Sequence, residues 1–247
     1  MKMWFYLIGA VLFIFLKSRG MIPDVRFPKI MEPQTFVLLL HIVCCVSSII
    51  SFLGGEMYGL PSKFTAYLSC LLSSIVAIGA NYGVPKVSEY KLWLSNVAQG
   101  ADFPFLLISM IFANSLGIAD YLGLLIISRR SFWFIATHMS KAKSSSFIWK
   151  TVEPTWNVAK SLEDKVLLIS ATCEIMIGIW LIIILLTPQR QFLSLFVFWN
   201  YLKLRFNAPR SSQYHQRAWS VIDDLTTPYT PSFMSTAVTR AKAWFRT

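Results

Sequence analysis

The stretch VLLISATCEIMIGIWLIIILLT, residues 166–187, carries a single formal charge, Glu174. At 1.5 Å per helical residue it reaches about 33 Å, enough to cross a hydrocarbon core about 30 Å thick. A helix on the surface of a water-soluble domain would interrupt such a run with polar residues every three or four positions. The run therefore reads as a membrane-embedded helix, ended by Pro188, which cannot continue the hydrogen-bond ladder. A shorter aromatic run follows at residues 192–201.

Similar runs lie upstream. Residues 35–53 hold no formal charge and are interrupted only by His41, and Gly54-Gly55 closes them. Residues 64–80 supply a second, slightly short span, and the brief link carrying Glu56 and Lys63 makes the two a helical hairpin. Residues 103–128 admit two readings: one long span, or two pieces, 101–114 and 119–140, around a turn at 115–117. The hairpin is preferred, because Asn114 and Asp120 would otherwise sit mid-span, where an aspartate without a partner is expensive. Residues 3–16 are apolar between Lys2 and Lys17, and no small-x-small cleavage site follows. They predict a short anchor or interfacial helix, with a cleaved signal as the alternative, joined to the rest by a linker containing Pro23, Pro28 and Pro33.

Composition agrees. The 247 residues are 55% apolar and 14% charged, whereas a soluble domain carries about a quarter charged residues. The net charge of +11 is lopsided: residues 1–128 hold 8 basic and 6 acidic side chains, residues 129–247 hold 15 and 6. Seven basic groups lie in 129–165 and seven more in 203–247. A hairpin made of 166–187 and 190–202 returns both blocks to the cytoplasmic face, as the positive-inside rule requires. Beside such spans the basic excess points to anionic headgroups and not to nucleic acid.

Chemistry-bearing motifs are absent. Cys44, Cys45, Cys70 and Cys173 lie inside apolar runs without metal-ligand spacing, and His41, His138 and His215 are isolated. No P-loop, nucleophile elbow or dinucleotide fingerprint occurs, so no catalytic residue, metal or cofactor is nominated. Glu174 is the one carboxylate well inside a confident span. It reads as an interhelical tie, with Asn200 or Lys203 on the returning arm as partner, or else as part of an ion pathway, which normally recruits polar groups from several spans. The segment FWNYLKLRF, residues 198–206, sets aromatics before alternating bases. It suits a helix leaving through the headgroup layer, with Tyr201, Lys203, Arg205 and Phe206 at the interface.

The last residues repay a helical wheel. Phe233, Met234, Ala237, Val238, Ala241, Trp244 and Phe245 fall within an arc of about 140°, and Arg240, Lys242 and Arg246 lie on the remaining polar side, Arg240 at its edge. Residues 232–246 thus predict a basic amphipathic helix lying in a membrane interface. The alternative is a helix docked on the protein itself. The chain then divides into a short apolar helix and linker (1–34), a membrane domain of helical hairpins (35–207) and a cytosolic tail (208–247). The fold class is all-α, a polytopic integral membrane protein.

Three stretches in order, FLLISMIFANS (105–115), ATCEI (171–175) and YLKLRF (201–206) with Arg210 and Tyr214 behind, resemble the transmembrane protein 33 family, whose yeast relatives are pore-membrane nucleoporins. The resemblance covers roughly residues 35–225, and the N-terminal extension departs from it. It implies a multi-pass protein of the endoplasmic reticulum and nuclear envelope. It also implies contacts with reticulon-type tubule shapers or pore-membrane proteins, and a curvature-binding C-terminal helix. The function expected is a non-enzymatic scaffold that helps shape membranes; the alternatives are a transporter or channel, or a non-catalytic subunit of a membrane enzyme.

Overall fold

The computed structural model describes residues 33–55, 59–83, 87–100, 102–112, 117, 119–141, 147–188, 191–208, 211–229, 239–240 and 243–245. The expected N-terminal helix and its linker up to residue 32 lie outside these, while Pro33 and Gln34, expected at the end of the linker, are helical and open the first described helix. Among the described residues the regular structure is helical throughout: α1 (Pro33–Phe52), α2 (Ser62–Tyr82), α3 (Tyr90–Gln99), α4 (Phe103–Phe112), α5 (Ala119–Lys141), α6 (Phe147–Ser161), α7 (Glu163–Ile184), α8 (Phe192–Asn207) and α9 (Ser212–Thr226). By length and composition α1 (over Gln34–Phe52), α2 and α7 can each cross a membrane, and the bent pair α3–α4 adds a fourth span if it acts as one. The chain divides into two compact units, Met1–Trp149 and Lys150–Thr247.

In the first unit α1 packs on α2 and α5, and α2 on α4. Its helices are built inside out. The covered face of α1 holds His41, Cys44, Ser47, Ser48 and Ser51, while Leu39, Ile42, Val46 and Ile49, spaced by three or four, stand exposed. Along α2 the buried residues include Ser62, Ala66, Ser69, Cys70, Ser73 and Ser74, against exposed Phe64, Leu68 and Leu72. Water would expel that outer stripe, whereas lipid favours it, and small inner residues let helix backbones approach where hydrophobicity cannot drive them together. Several inner hydroxyls are satisfied locally: Ser48 donates to Cys44 O, Ser69 to Thr65 O, and Ser73 and Ser74 to Cys70 O, whereas Ser51 and Ser62 Oγ are buried without a hydrogen bond. All four cysteines are free thiols, and Cys44, Cys70 and Cys173 are buried.

The two-piece reading of residues 101–140 matches the structure. The described part of the turn is Gly117, at φ 69°, a left-handed conformation that glycine adopts without strain. Asp120 N–H then donates to Gly117 O, and Asp120 opens α5. An acidic residue there faces the partial positive charge of a helix N-terminus. The sequence reading had no helix for α3 or α6.

In the second unit α7, α8 and α9 pack on one another. Glu163 and Asp164 open α7, three residues ahead of the apolar run, for the same electrostatic reason. The helix ends at Ile184, and a turn through Leu185 and Leu186 precedes Pro188. Close approach of α8 depends on Gly178, where a Cβ would stand 2.6 Å from Leu202 Cδ1. The indole of Trp199 uses that gap to donate to Gly178 O at 3.1 Å.

The tail 208–247, expected to carry one helix at 232–246, holds a further one. It contains α9, whose His215 and Ala218 are buried while Gln213, Gln216, Arg217, Ser220 and Asp224 are exposed. Of the predicted helix 232–246, residues 239–240 and 243–245 are described and helical; the remainder lies outside the described residues.

Candidate functional site

Buried charge in this chain sits where helices meet, and each unit has its own arrangement. In the first, Asp120 is 1% exposed and its Oδ2 lies 3.4 Å from Lys63 Nζ. Its backbone carbonyl accepts from Tyr67 Oη at 2.6 Å. The Lys63 ammonium also stands 5.2 Å from the centre of the Tyr121 ring. Ten residues along α5, Arg130 donates through Nη2 to Asp102 Oδ1 at 2.5 Å and through Nη1 to Ser74 Oγ at 2.6 Å. Its guanidinium covers the Phe105 ring at 4.5 Å. These two pairs tie α2 to α5 and α5 to the start of α4. His41 completes the set, with Nδ1 3.0 Å from Ser131 Oγ and its ring 4.2 Å from that of Phe134. Sequence reading moved Asp120 to the start of a second helix because a lone mid-span aspartate is expensive, and it passed over Asp102. The signal available was the number of opposite charges in one apolar region, which must find each other.

In the second unit three side chains converge on one oxygen, Glu174 Oε2. Tyr201 Oη donates to it in a short hydrogen bond, Arg205 Nε lies at 3.4 Å, and His215 Nε2 at 3.2 Å. The glutamate is 2% exposed and His215 is fully buried. Although close, the His215 nitrogen approaches outside hydrogen-bond directionality, and neither ring nitrogen has a hydrogen-bond partner. Ser170 Oγ, one turn before Glu174 on the same helix face, is likewise buried without a hydrogen bond. Nearer the start of α7, Tyr214 Oη donates to Asp164 Oδ1 at 2.7 Å, and that hydrogen bond raises the phenol above its ordinary value.

The partners expected for Glu174 are corrected. Asn200 is exposed and donates to Phe196 O within its own helix, and Lys203 Nζ stands 4.7 Å over the Trp244 ring. The reason is helical period. Phe198, Tyr201, Leu202 and Arg205 share one side of α8 and face α7, so the alternation in YLKLRF, read as an exit through headgroups, turns Tyr201 and Arg205 inward. His215 was passed over as isolated, but with Ala218 it marks the inner face of α9. Through that inner face the helix covers the stretch of α7 that holds Glu174, and its polar residues face outward.

The tail residues also change place. Phe245 is 5% exposed, with its ring 4.9 Å from Trp219, 5.6 Å from Trp199 and 5.7 Å from Phe206. Its carbonyl accepts from Asn207 Nδ2 at 3.0 Å. An interfacial helix would have placed this ring in lipid; the structure places it among aromatics of its own chain. Trp244 is 37% exposed and Arg240 is exposed. Asn114, Phe233, Lys242 and Arg246 lie outside the described residues. Among the described residues no group of three or more His, Cys, Asp or Glu side chains stands close enough to hold a metal ion.

A family model described as Transmembrane protein 33/Nucleoporin POM33 matches residues 25–244. Searches of curated proteins and of solved structures found no match.

Proposed function

Because the chain belongs to the Transmembrane protein 33/Nucleoporin POM33 family, we propose that it is a non-enzymatic scaffold of the endoplasmic reticulum and nuclear envelope that helps set membrane shape. It would do so together with tubule-shaping or pore-associated membrane proteins and anionic headgroups. The observation that carries this reading is the use made of buried charge. Asp120, Asp102 and Glu174 each face a cation from another helix across a packed contact. Charges committed in this way fasten helices, whereas a transport pathway needs polar groups that release an ion as readily as they take it. The lipid-favouring outer stripes of α1 and α2 fit a protein that does its work within the bilayer.

Reconstitution tests this. Purified full chain in liposomes should convert round vesicles to tubules or sharply curved forms, seen by electron microscopy, with no change in ion or proton leak. Vesicles indistinguishable from lipid alone would remove the shaping role. The Ser170 hydroxyl, buried without a hydrogen bond, and the His215 ring, 3.2 Å from the carboxylate but not hydrogen-bonded to it, favour transport as the second reading, since polar atoms left open beside a carboxylate are what an ion route uses. A flux abolished by Glu174→Gln would establish it.

A further inference from the structure

Trp199, Phe206 and Trp219 enclose three sides of Phe245, and Trp244 stands 5.1 Å from the same ring. These residues come from α8 and α9, so the enclosure belongs to the second unit and the ring entering it is supplied from the end of the chain. Two polar contacts fix the register: Asn207 Nδ2 on the Phe245 carbonyl and Lys203 Nζ over Trp244. We propose that this aromatic enclosure is a docking site for the chain's own Trp244 and Phe245, and that docking withholds Phe245 from a lipid surface. The inference rests on reading residues 232–246 as membrane-seeking, and it adds a second host for the same face.

Three features support an exchange between hosts. On the wheel, Trp244 and Phe245 belong to the same apolar arc as Phe233, Met234 and Val238, so one face cannot serve protein and bilayer at once. The docked segment leaves Arg240 exposed, placed to meet anionic headgroups while the rings are still held. The enclosure also carries a penalty, because the Trp219 indole N–H is buried with no acceptor. A buried donor left unpaired weakens the closed state and regains a partner in water once the tail leaves. Tight, permanent docking would not be built with that defect.

The test uses the full chain in anionic nanodiscs, with a fluorophore attached at Thr247 and nitroxide quenchers on the lipid headgroups. In the unmutated protein quenching should be small. Trp219→Leu opens the enclosure without touching the tail and should raise quenching several-fold. Asn207→Ala, at an exposed position, should act in the same direction and more weakly, which guards against misfolding of the first variant. In detergent, trypsin should cleave after Arg240 several-fold faster in Phe245→Ala than in the unmutated chain. A tail already fully quenched before mutation, unchanged quenching in both enclosure variants, or cleavage indifferent to Phe245 would each overturn the proposal. None of these readings depends on vesicle shape, so they separate this inference from the scaffold reading.

Discussion

The two units bury carboxylates in different ways. In the first, Arg130 lies on Asp102 and Lys63 on Asp120; Ser73 and Ser74 donate within their own helix, while Ser51, Ser62 and Ser109 Oγ are buried without a hydrogen bond. In the second, Glu174 gathers a tyrosine, an arginine and a histidine on a single oxygen, leaving the histidine ring and a neighbouring serine without hydrogen bonds. The two ion pairs share no residue, so one can be lost with the other still in place. A shared oxygen couples three helices, so its loss is felt by α7, α8 and α9 together. The first unit is thus a set of independent fasteners, and the second is a hub.

Glu174→Leu tests the hub and should have the largest effect. It strands the Arg205 charge and leaves Tyr201 Oη without its acceptor, destabilising the protein by about 3 kcal/mol, the low end for a broken buried pair because Arg205 is a quarter exposed. Glu174→Gln keeps an acceptor for Tyr201 and should cost about 1 kcal/mol. Thermal unfolding in detergent, followed by circular dichroism, measures both. Equal effects from Leu and Gln would mean the acceptor retained for Tyr201 contributes nothing, and the hub is an ion pair instead of a shared hydrogen-bond acceptor.

Arg130→Met probes the separable kind. Asp102 loses its cation but is a fifth exposed and can take up water, so a smaller loss of about 2 kcal/mol is expected. A double-mutant cycle between Arg130→Met and Asp102→Asn sharpens the contrast. Coupling should be confined to that pair and vanish between Arg130 and Lys63. Substantial coupling to Lys63 would make the first unit a network as well.

How much of this was legible depends on which residues carried the signal. The helical runs at α1, α2 and α7 announce themselves by length, and Gly117 and Pro188 mark breaks because backbone geometry is a local property. Glu174 could be singled out because a charge in an apolar run is conspicuous. Its partners could not, since Arg205 and His215 lie in stretches whose local pattern also suits a headgroup exit or a tail. Burial there is decided by the facing helix, which one segment's sequence does not encode. The tail illustrates the same limit. A hydrophobic arc at Phe245 states that something apolar covers it, and both lipid and the Trp199–Phe206–Trp219 enclosure satisfy that demand.

The smallest effect belongs to the contact at the edge of the hub, Tyr214 on Asp164. Here the phenol donates to a carboxylate at an exposed site, so solvent screens the interaction and Tyr214→Phe should leave the unfolding temperature almost unchanged at neutral pH. Its signature is a titration. The hydrogen bond and the neighbouring charge favour the protonated phenol, so the folded-state value lies above the unfolded value of about 10. The sign follows: the contribution is fully present below the unfolded value and is lost as pH rises through the folded one, when phenolate and carboxylate repel. Ultraviolet difference absorbance should then show a late-ionising tyrosine component that is lost in Tyr214→Phe and shifted back in Asp164→Asn. If Asp164→Asn leaves that late ionisation in place, α9 is not held to the start of α7 by this bond. The hub would then rest on Glu174 alone.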